Sequence, residues 1–247
     1  MTRPPYVLLD DASNGRLRLF EAPCGVVAAN SPREVQGALK ALNRAVADGF
    51  HAAGYFTYEL GYVLEPKLAR LLPKTRGAPL VWFGLFREAQ SFAGAKAEAW
   101  FDAQVTGRAY AGPLEVAMDT KAYGARFRRL QDYIRAGDVY QVNLTFPARF
   151  AFSGDPLALY RRLRAQAAGA HCAYVFDGER SVLSLSPELF FSLENGVVVS
   201  RPMKGTAPRG TDERSDARLK AALAASEKNR AENLMIVEDR KSTRLNS

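Results

Sequence analysis

Between residues 6 and 200 the sequence alternates short apolar segments with capped amphipathic stretches, and this alternation confines the chain to sheets covered by helices. Residues 6–10 and 17–20 read as strands. Ser31 opens a helix, with Pro32 in its first turn and Glu34 completing a capping box. Val35, Leu39, Leu42 and Val46 form its apolar stripe. Residues 53–58 and 80–86 are aromatic-rich strand candidates, and residues 73–77 form a loop between them. Ala111-Gly112-Pro113 marks a connection. Thr120 caps a helix to about Ala136, where Gly137 is the stop signal. A long strand is expected over residues 139–152, and Asp155-Pro156 starts a helix ending near Gly169. Strands follow at 172–176 and 181–184, then a hairpin of 188–193 with 197–200 across Asn195-Gly196. From Glu213 onward the pattern is one long helix. With no repeat and no low-complexity linker, the class is α+β or α/β.

Composition narrows the function. At 47% hydrophobic and 24% charged residues over 247 positions, the chain is an ordinary globular one with a sizeable core. No apolar run approaches the ~20 residues of a membrane span, and residues 1–5 lack the apolar core of a signal peptide, so a cytoplasmic location is the default. Cys24 and Cys172 have no metal or redox spacing and read as buried small residues. His51 and His171 stand alone, so any metal must rest on oxygen donors, which favours a hard cation such as magnesium. The formal charge of +8 does not make a nucleic-acid stripe. Arg128, Arg129 and Arg135 lie on a helical pattern whose apolar face is Phe127, Leu130 and Ile134, and Arg161, Arg162 and Arg164 read likewise as a solvated face. An anionic small substrate accounts for a mild positive bias equally well.

The segment Pro202-Met203-Lys204-Gly205-Thr206 sets one lysine between a rigid proline and a flexible glycine, with Glu188 upstream in Ser186-Pro187-Glu188. A neutral lysine amine is a nucleophile, and a carboxyl group within reach can protonate a leaving group. Most lysines are solvated surface charges, however, and Lys-Gly-Thr is also a common turn, so spacing alone does not separate the two readings.

Four segments in order resemble the chorismate-utilising enzymes, and within them the aminodeoxychorismate-forming branch. They are Gly137-Asp138-Val139-Tyr140-Gln141-Val142-Asn143-Leu144, Ser186-Pro187-Glu188-Leu189-Phe190, Pro202-Met203-Lys204-Gly205-Thr206 and the stretch from Lys228 to Val237. Leu8-Leu9-Asp10-Asp11-Ala12 and the stretch at 79–86 look like the same branch. The resemblance implies two antiparallel sheets packed as a sandwich and flanked by helices, with residues 1–110 as an N-terminal layer and 111–237 as half of the chorismate-binding region. It implies Lys204 as the nucleophile that holds the ring until ammonia displaces it, and Glu188 as the acid. Gln141, Gly205 and Thr206 would contact substrate, and Glu232 with Asn229 would bind Mg2+, Lys228 lying near. Relatives that add water carry lysine at the position of Gln141, and anthranilate synthases carry alanine at that of Lys204. The resemblance further implies a glutamine amidotransferase partner that delivers ammonia. In some members it implies tryptophan bound near Leu8-Leu9-Asp10-Asp11. It covers nothing after Val237: residues 238–247 read as disordered or foreign, and the chain as a C-terminally incomplete enzyme, inactive by itself.

Overall fold

The computed structural model describes residues 3–245, with side chains described as far as Glu238. In chain order, β1 (Tyr6–Asp11), β2 (Arg16–Glu21) and β3 (Gly25–Ala29) lead into α1 (Pro32–Ala47). Next come β4 (His51–Phe56), α2 (Leu60–Leu64), a 3-10 turn at Pro66–Leu71, β5 (Val81–Phe86), β6 (Gln90–Ala93) and α3 (Ala95–Gln104). Then follow β7 (Ala109–Ala111), β8 (Glu115–Val116), α4 (Thr120–Ala136), β9 (Ala148–Arg149), β10 (Phe152–Gly154) and α5 (Pro156–Ala167). The remainder comprises β11 (His171–Phe176), β12 (Ser181–Ser186), β13 (Ser192–Glu194), β14 (Val197–Val199), α6 (Glu213–Ala225) and α7 (Glu227–Leu245). Two compact units result, one from the chain up to Ala99 together with the chain from Leu163 onward, the other Trp100–Arg162.

The first unit, of the α+β class, is built on two larger sheets and the β13-β14 hairpin. One sheet has the order β12-β11-β1-β2-β6 and the other β3-β5-β4, all antiparallel. Period-two alternation gives β1 two apolar faces. Val7, opposite Phe20 and Val175, joins Ala53, Trp82 and Phe86 of the other sheet in one buried cluster. Because β11 pairs with β1, the sheet is built from both sides of the division expected at residue 110.

α1 covers the second sheet. Glu34 accepts from the backbone N–H groups of Ser31 and Asn30 (3.1 and 2.6 Å), fixing the helix start. Its buried stripe is Val35, Ala38, Leu42 and Ala45, with Leu39 half-buried; Val46, placed in the stripe from sequence, is 57% exposed. The helix ends one residue later, and its small Ala45 lies on the buried face instead.

The largest departure inside this unit is Arg164. Rather than sharing a solvated face, it is 5% exposed: its Nε and Nη2 donate to Asp10 (2.5 and 3.1 Å) and its Nη1 to Glu98 (2.7 Å). Burial by itself would depress the guanidinium, but the hydrogen bonds and charges of the two carboxylates reverse this and raise it. Helical position alone cannot reveal partners that a distant strand supplies. Cys172 is buried as expected, whereas Cys24 is exposed and donates its thiol to the Leu85 carbonyl at 3.2 Å.

In the second unit Asp119, not Thr120, caps α4, accepting from Ala122 N–H at 2.7 Å, and Gly137 ends the helix at φ +78°. Phe127 and Ile134 on its apolar face remain 45% and 37% exposed. The strand expected over residues 139–152 does not form as one element. Residues 139–147 carry no strand, and only β9 and β10 pair, with β8 and β7. Alternating apolar residues need a neighbouring edge to bond to, and Pro147 offers no N–H for one.

The helix expected from Glu213 breaks at Ser226, whose backbone is extended and whose Oγ accepts from Asn229 N–H at 3.4 Å. Serine thus acts as the cap of a second helix instead of an interior residue. Through the polar run from Glu238, α7 continues to Leu245, and Asn246 and Ser247 lie outside the described residues.

Candidate active site

The segment that bears Lys204 has no regular structure and is held at three places. At its start, β13 and β14 pair across Asn195-Gly196, both at positive φ (51° and 78°), and Ser200 Oγ donates to the Phe190 carbonyl at 2.8 Å. At its end, Arg209 forks onto Asp216 of α6 (2.7 and 2.9 Å), which also accepts from Gly210 N–H at 2.8 Å. In the middle, Gly205 sits at φ +77° so close to α7 that a Cβ there would lie 2.6 Å from Cγ of Asn229. Only glycine fits, for both reasons.

Glu188 comes from the bend after β12. Ser186 Oγ donates to the Glu188 carbonyl (3.0 Å) and accepts from its N–H (3.2 Å), closing a tight local turn. Lys204, Glu188 and Asn229 thereby line one cavity of about 520 Å3, together with His171, Arg201, Met203, Arg230 and Asn233. Lys204 and Glu188 are half-buried. The volume suits a small organic molecule. With Lys204, Arg201 and Arg230 set against Glu188, the lining favours an anion.

Other expected residues fall elsewhere. Thr206 is exposed and not on the lining. Glu232, one turn beyond Lys228 on α7, sits 3.9 Å from its ammonium and off the cavity wall. Gln141 belongs to the second unit, where its Oε1 is buried without a hydrogen-bond partner among the described residues. Three lining residues carry no site role in the sequence reading. Arg201 directly precedes one singled-out segment and Arg230 lies inside another, while His171 reaches the cavity through its pairing with Ser186 across β11 and β12.

A magnesium shell is six oxygens in near-octahedral geometry, usually including carboxylates. Among the described residues no three of His, Cys, Asp or Glu converge, and Glu232 with the Asn229 amide falls well short. This donor set does not fit magnesium by itself, and no step is drawn through the metal.

The profile of the chorismate binding enzyme family matches residues 4–242. The chain belongs to that family. The chain is 41% identical over 144 residues to aminodeoxychorismate synthase component 1 of Klebsiella aerogenes, covering 57% of the chain and 32% of that protein. It is 27% identical over 244 residues to anthranilate synthase component 1 of Saccharolobus solfataricus, covering 94% and 56%. A solved structure from Bacillus anthracis, described as a 2,3-dihydroxybenzoate-specific isochorismate synthase, superposes with a TM-score of 0.62 at 19% identity over 95% of the chain and 58% of that protein. That likeness establishes the fold. The chain therefore spans between a third and three fifths of the length of these relatives. The match also runs past Val237, the last residue of the four resembling segments.

Proposed function

We propose that the chain is part of an aminodeoxychorismate synthase component 1, which converts chorismate and ammonia to 4-amino-4-deoxychorismate on the way to 4-aminobenzoate and folate. The observation that carries this is the placement of Lys204 and Glu188 on one cation-lined cavity. The Lys204 amine attacks the ring diene: an Nζ–C bond forms, electrons move through the diene, the C–O bond to the hydroxyl breaks, and Glu188 gives the proton with which water departs. Ammonia then adds in the same sense, a new C–N bond forms as the Nζ–C bond breaks, Lys204 leaves as the free amine, and the new ammonium group returns a proton to Glu188. Arg201 and Arg230 are the groups we assign to the substrate carboxylates. Gln141 has no basic lone pair with which to activate water, which disfavours isochorismate formation.

Anthranilate synthase is the alternative, since a Thermus thermophilus anthranilate synthase component 1 is also 41% identical over 118 residues. Lys204 is what favours amination through a covalent adduct. The deciding experiment compares products from the complete enzyme and its Lys204→Ala variant. The proposal requires 4-amino-4-deoxychorismate from the first and a severe loss in the second; anthranilate as the product would overturn it.

Ammonia would come from a glutamine amidotransferase subunit, and magnesium would need oxygen donors beyond Glu232 and Asn229. We further propose that the 247 residues alone turn over little. The metal donors are too few, residues 139–147 lack strand partners, and the apolar side of α4 is open. Robust conversion of chorismate by the isolated chain would refute this. A second ligand reading has its own support: Leu9, Asp10 and Asp11 line another cavity of about 580 Å3, which fits tryptophan binding. Calorimetry with tryptophan tests it, and no heat at saturating ligand would exclude it.

A further inference from the structure

We propose that the loop of residues 73–79, with Asn30 and Arg180, forms a binding site for a phosphate-class oxyanion, independent of the cavity that holds Lys204. Lys74, Thr75, Arg76, Ala78 and Pro79 line a cavity of about 350 Å3 with those two residues. The loop is fixed from within. Arg76 Nη1 donates to the Pro73 carbonyl at 2.8 Å and Nη2 to the Asn30 carbonyl at 2.7 Å, tying the loop to the residue ahead of the α1 cap. Both acceptors are neutral, so the guanidinium charge stays uncompensated, and its Nε is buried with no acceptor among the described residues.

The nearby carboxylates are engaged elsewhere. Glu34 accepts from the N–H groups of Asn30 and Ser31. Asp177 and Glu179 pair with Arg180 at 3.5 and 2.9 Å. Arg180, facing two carboxylates, brings no net positive charge, whereas Lys74 and Arg76 have no acid partner among the described residues, and no acid lines the cavity. Two unbalanced cations, a hydroxyl from Thr75 and a preformed wall are what a doubly charged oxyanion requires. The volume equals about twelve waters at ~30 Å3 each, more than a bare phosphate fills. A phosphate monoester is the better occupant, and free inorganic phosphate is the other source of the same group.

The test titrates glycerol 3-phosphate, inorganic phosphate and, at matched ionic strength, sodium chloride into the protein by calorimetry. The same titrations are made on Lys74→Glu and on Lys40→Glu, an exposed α1 control. Thermal melts without ligand establish that both variants fold. Saturable binding of either phosphate probe, weakened at least tenfold by Lys74→Glu and unchanged by Lys40→Glu, supports the site; tighter binding of the ester assigns it to an organic phosphate, and equal binding to the free ion. No saturable heat, heat reproduced by chloride, or binding that survives Lys74→Glu overturns it.

Discussion

Replacing Arg164 by Met should be among the most damaging single changes in the chain. Asp10 has a side chain that is 0% exposed, and Arg164 meets it with two hydrogen bonds from a side chain 6% exposed. Arg164→Met keeps the bulk but leaves a buried carboxylate without its counter-charge, a loss of about 3–5 kcal/mol. Glu98 is 51% exposed, so its share is a few tenths to about 1 kcal/mol after screening by solvent. A domain of ordinary stability, about 5–15 kcal/mol, could be brought close to unfolding by this. The double variant Arg164→Met/Asp10→Leu removes both charges together and should recover most of the loss, since buried ion pairs exchanged for apolar groups are often near neutral. Urea unfolding followed by the fluorescence of Trp82 and Trp100 measures these two variants and the Asp10→Leu single variant. Additive losses in the double variant, or a single-variant loss below about 1 kcal/mol, would refute the buried-pair account.

Gly205→Ala should cost about 1–2 kcal/mol from its left-handed backbone alone and should shift the Asn229 side-chain amide resonances, since the new Cβ would land 2.6 Å from Cγ; unchanged resonances would contradict the docking of this loop on α7. Gly54→Ala places a Cβ 2.1 Å from the Trp82 carbonyl of the neighbouring strand and should lower Tm sharply, whereas Gly37→Ala, in open space on α1, should raise stability by about 0.5–1 kcal/mol. Asp177 carries a pH signature. Burial acts to raise its carboxyl, but the N–H groups of Glu179 and Arg180, the Tyr55 hydroxyl at 2.9 Å and the Arg180 charge hold it below the usual aspartate value. Its stabilisation is therefore present above about pH 4, the unfolded value, and is lost as pH falls through the lower folded one. The stability gap between wild type and Asp177→Asn should be flat near neutrality and close below that point; a gap that widens on acidification would show the sign to be wrong.

Local chemistry made much of this fold legible. Pro32 and Glu34 announced α1, Gly137 announced the end of α4, and Asn195-Gly196 announced the hairpin, because each acts within a few residues of itself. The short α3 went unseen because Ala95–Gln104 carries no apolar stripe. What required the third dimension was missed for a common reason: Arg164 is buried by a partner on β1, residues 139–147 lack a strand to bond to, and Ser226 turns a continuous pattern into two helices. At the site, Lys204, Glu188 and Asn229 were legible through motif and prove to share a cavity, whereas His171 arrives there by strand register, which no motif encodes.

The most direct test of the central claim is peptide mapping by mass spectrometry of the complete enzyme quenched after mixing with chorismate in the absence of ammonia. The account predicts a mass increase equal to chorismate less one water on the peptide containing Lys204, lost when ammonia is added. Steady formation of 4-amino-4-deoxychorismate with that peptide never modified, and at an undiminished rate in Lys204→Ala, would contradict it.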